Sequence, residues 1–351
     1  MLHDLTLIIP TRSLTTAEIR EAAKDLLDVS ISNELKATFL SAWARRGESA
    51  EELAACAEAF LPQAIDPGVR GTWNGKPLLD CCGTGGGGLN LFNVSTGMMF
   101  ILAALGIPVV KHGNRGITKK SGSADVLKAF GIKINLSPQQ MQTCLDKIGC
   151  AFLFAPEYHP SFSAVAEARK MLAAPPFSLR TVFNLLGPLL NPARPDARIV
   201  GVFQHKHVEL YSETLEKIGC PRFSIAYGQD AASGTVLGEV SANGSTYLGT
   251  RLPPATAIAY EWQQQQSPET QPLETLFVQS AEESARRIAA ILFRNERGLG
   301  RDLLLINAAV AAWTHGTASS VEEGLTMSTE ALDSGKALER LKLWQALSSR
   351  L

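Results

Sequence analysis

Apolar residues recur at helical spacing through the first seventy positions, and nothing there alternates as a strand does. Ile19, Ala22, Ala23, Leu26 and Leu27 form one stripe behind a capping box of Thr15 and Glu18. A second helix, capped by Ser32 or Asn33, carries Leu35, Phe39 and Trp43 on one face. A third opens at Ser49 with Glu52 and carries Leu53, Ala57, Phe60 and Leu61. Stripes of this kind are core faces, and no binding is read into them. Asp66-Pro-Gly then punctuates the chain.

From Lys76 the pattern changes to short apolar runs alternating with helical segments. Strands are expected at 77–82, 107–110, 151–154, 198–203 and 223–227. Helices are expected at 93–105, 121–130, 138–148 and 208–218. Such alternation predicts an α/β fold whose mostly parallel sheet is covered on both faces. Residues 235–248 alternate weakly, as a hairpin would, and the Gln- and Pro-containing stretch 263–273 predicts a surface loop. Helices at 282–293, 301–313 and 329–347 close the chain. The expected division is a small helical domain over 1–70 and a larger α/β domain over 75–351.

Composition narrows the function classes. The 351 residues are 45% hydrophobic and 19% charged, enough apolar mass for a packed core. Thirty-three Lys plus Arg against 34 Asp plus Glu leave a net charge of −1, so no electrostatic surplus points to nucleic acid or an anionic membrane. The six cysteines contain no CxxC pair, which argues against a structural zinc site and fits a reducing cytoplasm. The N-terminus lacks a basic region before its short apolar run and is not expected to be a signal peptide. The longest apolar stretch, 98–110, is interrupted by Gly106 and Pro108 and falls short of the ~20 residues that span a bilayer.

Three constellations carry chemistry. Gly83-Thr-Gly-Gly-Gly-Gly88 follows a strand, and glycine lets backbone N–H groups approach an anion closely. Asn93, Ser95 and Thr96 stand where the next helix begins and add polar groups to that cradle. No Walker lysine and no ordinary GxGxxG spacing accompany it, which disfavours nucleoside triphosphates and dinucleotides. Lys111-His-Gly-Asn-Arg115 follows the next strand, placing two cations on a turn that faces the same crevice. Arg115 offers a fork and Lys111 a point charge, both suited to phosphate oxygens. Lys119 and Lys120 belong equally to a solvated charge run. Two anion loops side by side suggest a ligand with two separate phosphate groups. Phe154-Ala-Pro-Glu-Tyr-His159, with Arg169 on the helix beyond, forms the third: its arginine suits a planar carboxylate, while His159 serves equally well as a structural turn residue.

These motifs, in this order, resemble those of the anthranilate phosphoribosyltransferase family. The resemblance rests on Gly83-Thr-Gly-Gly, Asn93-Val-Ser-Thr, Lys111-His-Gly-Asn-Arg, Ser121-Gly-Ser-Ala-Asp, Phe154-Ala-Pro with Tyr158-His-Pro, and Arg180-Thr-Val-Phe-Asn-Leu-Leu-Gly-Pro-Leu-Leu-Asn-Pro192. It implies the nucleoside phosphorylase and phosphoribosyltransferase type of fold, a segment near 161–190 that joins the helical domain, and a homodimer. It implies transfer of the phosphoribosyl group from phosphoribosyl pyrophosphate (PRPP) to the amine of anthranilate, a step of tryptophan biosynthesis. Carried over by position, Gly83, Thr84, Gly86, Gly87, Leu91, Asn93, Val94, Ser95, Thr96, Lys111, His112, Gly113, Asn114, Arg115, Lys119 and Ser123 would hold the donor. Gly83, Asn114, His159 and Arg169 would meet anthranilate, and Ser95 and Glu239 would be ligands of a magnesium ion. Lys111 and Arg115 would act in catalysis by neutralising the departing oxygens.

Three features depart from the family pattern. Gly87 stands where an Asp is usual, Glu239 stands alone after Gly238 where an Asp-Glu pair is usual, and the segment between Leu172 and Arg180 is longer. Two other readings stay open on the sequence: a transferase or phosphorylase of the same fold with another acceptor, and a catalytically silent relative that binds nucleic acid.

Overall fold

A computed structural model describes residues 1–85, 87–116, 120–175, 177–252, 258–263 and 271–351, with the side chains of 258–263 left aside. The N-terminal helices are α1 (Leu2–Ile8), α2 (Thr16–Leu27), α3 (Asn33–Arg46) and α4 (Ala50–Phe60). The capping boxes at Thr15/Glu18 and Ser49/Glu52 both form. Glu52 does more than cap. Fully buried, it accepts from the Leu14 and Ser49 amides at 2.7 and 2.9 Å and from Trp43 Nε1 at 3.3 Å, and it pairs with Arg46. One carboxylate thus joins α3, α4 and the turn before α2, with partners enough to tolerate its burial.

After a small β1 (Thr72–Trp73) and β2 (Lys76–Pro77) ribbon, strands and helices alternate as β3 (Leu79–Gly83), α5 (Val94–Ala104), β4 (Val109–Gly113), α6 (Ser123–Ala129), α7 (Pro138–Ile148) and β5 (Cys150–Phe154). Short α8 (Ala155–Tyr158), α9 (Ala166–Ala173) and α10 (Val182–Leu186) lead back to β6 (Ala197–Gly201), α11 (Lys206–Lys217) and β7 (Arg222–Gly228). Then come β8 (Ser245–Arg251), β9 (Ile258–Gln263), α12 (Ala281–Leu292), α13 (Leu299–His315), α14 (Val321–Asp333) and α15 (Lys336–Ser348).

Among the described residues the main sheet runs β5-β4-β3-β6-β7-β8-β9. The first five strands are mutually parallel, and the last two pairings, β7 with β8 and β8 with β9, are antiparallel. Every residue of β5 and β6 is buried, as a parallel strand covered on both faces requires. The chain leaves β3 to one side for β4 and returns to its other side for β6. Strand order therefore reverses at β3, and a crevice opens beyond the carboxyl ends of β3, β4 and β6.

Three expectations change. Strand β4 does not stop at Val110 but runs through Lys111 and His112 to Gly113, paired residue by residue with β5, so these residues lie in the sheet and not on a turn. Residues 235–248 form no hairpin; β8 is an antiparallel neighbour of β7, and only an isolated Gln229–Val236 bridge precedes it. The closing helix expected at 329–347 is two helices broken at Gly335, whose φ of 82° is left-handed. Helix α1 lies within the stretch expected to be helical and buries Leu2 and Leu5 in the core. Of the expected 263–273 loop, residues 264–270 lie outside the described residues.

Two apolar clusters hold the molecule. One surrounds β3–β5 with α5, α7 and α12–α15. The other joins α1–α4 to α9, α10, α11 and the inner faces of β6 and β7. The crevice lies where the two meet.

Candidate active site

The crevice holds a cavity of about 310 Å³ walled by the ends of β3, β4 and β6 on one side and by the 155–190 segment on the other. Its floor is the cation Lys111, only 2% exposed. Nζ donates to Cys81 O and, at 3.1 Å, to Ser95 Oγ. Burial works against its charge, but Cys81 and Cys82 and the carboxylates Asp80 and Glu239 raise its pKa overall. Burial pushes both thiols up to about 12, and it also raises the Asp80 carboxyl, a rise that the Lys111 charge opposes. Asp80, buried beneath the strand ends, also accepts from the His112 amide at 3.2 Å.

Gly83, Thr84, Leu91, Asn93 and Ser95 line the cavity from the β3 side, and His112, Gly113, Asn114, Arg115 and Ser123 from the β4 side. Asn93 Oδ1 accepts from Ser121 and Ser284 at 2.8 and 2.9 Å, which ties the start of α5 to α6 and α12. Arg115 is exposed, its guanidinium 5.6 Å from the centre of the Phe154 ring. Asp125 shapes this loop by accepting from the Gly116 and Gly122 amides at 2.8 and 2.9 Å. Gly122 must be glycine, since a Cβ there would fall 2.3 Å from the Arg115 carbonyl carbon.

His112 and His159 meet edge to face with ring centres 5.2 Å apart. His112 Nδ1 lies 3.1 Å from Gly187 O and His159 Nε2 lies 2.8 Å from Leu190 O. A carbonyl only accepts, so those nitrogens carry the protons. The opposite nitrogens, His112 Nε2 and His159 Nδ1, are then bare acceptors, buried and without a partner among the described residues. Burial lowers the two pKa values to about 4 and about 3, so both rings are neutral near pH 7. The carbonyls that set these tautomers belong to the Leu-Leu-Gly-Pro-Leu-Leu-Asn-Pro run. It is pinned by Arg198, whose guanidinium donates to Pro188 O at 2.8 Å, and by Asn191, whose Nδ2 donates to Val110 O at 2.8 Å.

Arg169, on α9, reaches the cavity 5.3 Å from the centre of the Phe183 ring, and burial lowers its pKa. Glu239 enters from the turn after β7. Its position is set by the buried Asn307 of α13, which donates from Nδ2 to Val240 O and accepts from Val240 N, both at 2.9 Å.

Several expected residues stand elsewhere. Val94 and Thr96 point into the core on the inner face of α5, and their amides are taken by Phe92 O and Asn93 O at 2.8 and 3.0 Å. Gly87 lies against the Phe203 ring and outside the cavity wall. Gly86 and Lys119 lie outside the described residues. Asp230, the carboxylate on the turn after β7, accepts from Ser233 and Asn243 and so organises its own turn. The long segment after α9 closes on itself, with Phe177 N and Ser178 N both donating to Ala174 O at 3.1 Å, and its described residues 173–175 and 177–179 do not line the cavity. Reading the sequence missed Asp80, Phe162, Arg198, Phe203 and Asn307. Only the Asn307 position, a polar residue inside an apolar helical run, gave a signal.

The comparisons with known proteins agree with this geometry. The a/b domain of the glycosyl transferase family matches residues 75–338, and that family's helical bundle domain matches residues 5–64. An anthranilate phosphoribosyltransferase of Acetivibrio thermocellus is 36% identical over 95% of this chain and 92% of that relative. One from Exiguobacterium sibiricum is 34% identical over 99% and 98%. Among solved structures, the anthranilate phosphoribosyltransferase of Thermus thermophilus superposes with a TM-score of 0.85 at 32% identity, covering 99% of each chain. The Saccharomyces cerevisiae enzyme in complex with PRPP and Mg shares the fold, with a TM-score of 0.83 at 24% identity over 100% and 98%.

Proposed function

This chain belongs to the anthranilate phosphoribosyltransferase family, and from that premise we propose that its crevice transfers the phosphoribosyl group of PRPP to the amine of anthranilate. One observation carries the reading: the glycine loop after β3, the cations Lys111 and Arg115, and Arg169 all face one cavity at the point where strand order reverses. The donor lies across the ends of β3 and β4, its anionic groups toward the glycine loop, Asn93, Ser95, Ser123, Lys111 and Arg115. Arg169 receives the acceptor's carboxylate, with Gly83, Asn114 and His159 around its ring.

The C1–O bond to pyrophosphate breaks with its electron pair leaving on oxygen, and the amine lone pair forms the new C1–N bond. The nitrogen then passes one proton to water, since the departing pyrophosphate carries the electron pair of the broken bond. Catalysis is positioning plus neutralisation of the leaving oxygens by Lys111 and Arg115. An aniline-type nitrogen is already neutral at pH 7, so no strong base is assigned.

The residues present fit a magnesium ion carried mainly by the donor's phosphates. Among the described residues there is no cluster of three or more potential metal ligands, and Glu239 and Ser95 would be the protein groups to meet it. When bound, the ion would spread the charge of the leaving pyrophosphate. We take the working form to be a cytoplasmic homodimer associated through the helical domain, where Leu7 and Val29 are exposed; the six cysteines, all free, suit a reducing compartment. Nucleic acid and membrane are not expected partners.

Calorimetry with PRPP tests the donor site. Wild type should bind, and Arg115→Ala should lose about 1.5–3 kcal/mol, roughly ten- to hundredfold in affinity, with its melting temperature unchanged. Wild-type protein that does not bind PRPP contradicts the reading.

A further inference from the structure

We propose that Phe203 limits the donor site to one divalent ion per chain, by filling the space beside Glu239 where a second carboxylate ligand would stand. The inference rests on reading the crevice as the PRPP site.

Phe203 follows β6 on the connection to α11, and its ring lines the cavity beside Gly238 and Glu239. The ring touches two other chain segments at once. A Cβ at Gly87 would lie 1.9 Å from a ring carbon, and one at Gly238 would lie 2.3 Å away. Both are far inside van der Waals contact, so neither position accepts a side chain while the ring is there. Gly238 is restricted twice over, since its φ of +67° also disfavours any residue with a Cβ.

The turn bearing Glu239 has little freedom to move away from the ring. A Cβ on Gly201, at the end of β6, would sit 1.8 Å from Gly238 O, so the turn rests directly on the strand. Asn307 fixes the next residue through both polar groups of Val240. The ring therefore fills a fixed gap between the glycine loop, the end of β6 and the Glu239 turn.

Among the described residues that line the cavity, Glu239 is the one acidic side chain, facing Lys111, Arg115 and Arg169. A hard divalent ion takes oxygen ligands, and an aromatic ring supplies none. One ion shared between Glu239 and the donor's phosphates is what this wall admits. The remaining phosphate charge falls to the lysine and arginine.

Manganese is the probe. The protein is dialysed to equilibrium against PRPP and Mn2+, and the excess of each on the protein side gives ions per bound donor. Wild type is expected to hold one Mn2+ per bound PRPP. Two with the donor bound would overturn this inference alone, whereas no bound PRPP would overturn the reading of the crevice and the inference with it. The double variant Phe203→Ala/Gly87→Asp replaces the ring with a carboxylate in the same gap, and its ratio is expected to rise to two. Phe203→Ala alone should stay at one, because it opens space without adding a ligand. A folded double variant, checked by its circular dichroism and PRPP binding, that still holds one ion would show that Phe203 does not set the count. If the double variant does not fold, the wild-type ratio decides.

Discussion

Arg169 is the residue on which acceptor recognition turns. It approaches the cavity from the wall opposite the glycine loop, beside Phe183. Arg169→Ala should raise the KM for anthranilate roughly ten- to hundredfold, the worth of a ~1.5–3 kcal/mol charge-assisted contact, and leave PRPP affinity unchanged. Equal losses for both substrates would place Arg169 elsewhere. The histidine pair makes a separate prediction about acid. Each folded pKa, about 4 for His112 and about 3 for His159, lies below the unfolded value near 6.5. Between those limits the unfolded chain binds more protons, so the pair's contribution is complete above about pH 6.5 and is lost as pH falls toward 4 and 3. Urea denaturation from pH 7.5 to 4.5 should show stability falling with acid, and the double variant His112→Asn/His159→Asn should fall less steeply. A variant with the wild-type slope would mean the rings are not buried neutral. At this scale the cations and the histidines were legible as residue types in sequence. Their burial was not, because the extension of β4 through Lys111 and His112 depends on β5, a long-range pairing. Arg198 and Asp80 were invisible for the same reason: each acts on a backbone group or charge far along the chain.

At the scale of elements, α13 shows how a buried helix reaches into the site. Almost all of it is apolar and buried, and Asn307 interrupts the pattern. Its amide satisfies both polar groups of Val240, so Asn307→Leu would leave a buried N–H and a buried C=O unpaired. Each orphaned group costs on the order of 1–3 kcal/mol. The variant should unfold at lower urea with an unchanged m-value, and an unaltered midpoint would remove Asn307 from its positioning role. Helix starts were readable wherever a capping box stood in sequence, as at Thr15 and Ser49. Helix continuity near the C-terminus was not. Residues 329–347 keep an apolar period across Gly335, and the period hides the break that a left-handed glycine introduces. Strand β8 was missed because its inward residues alternate only partly and include Gly249 and Thr250 beside Leu248.

The whole molecule is organised around one reversal of strand order. Because β4 and β6 flank β3 on opposite sides, the loops after all three strands open on one crevice, and the second apolar cluster brings the 155–190 segment over it. Alternating strands and helices in the sequence were enough to expect a parallel sheet. They could not give strand order, and so they placed the two anion loops together only by the general rule for such sheets. With a net charge of −1, the protein should not retard duplex DNA in a gel at physiological salt; a salt-dependent shift would favour the silent nucleic-acid-binding alternative. The direct test of the central claim is the decay of anthranilate fluorescence on mixing the folded protein with PRPP and magnesium. Loss of signal that requires both PRPP and protein is expected, with one pyrophosphate released per anthranilate consumed. Stable fluorescence at micromolar protein, with PRPP shown to be bound, would contradict it.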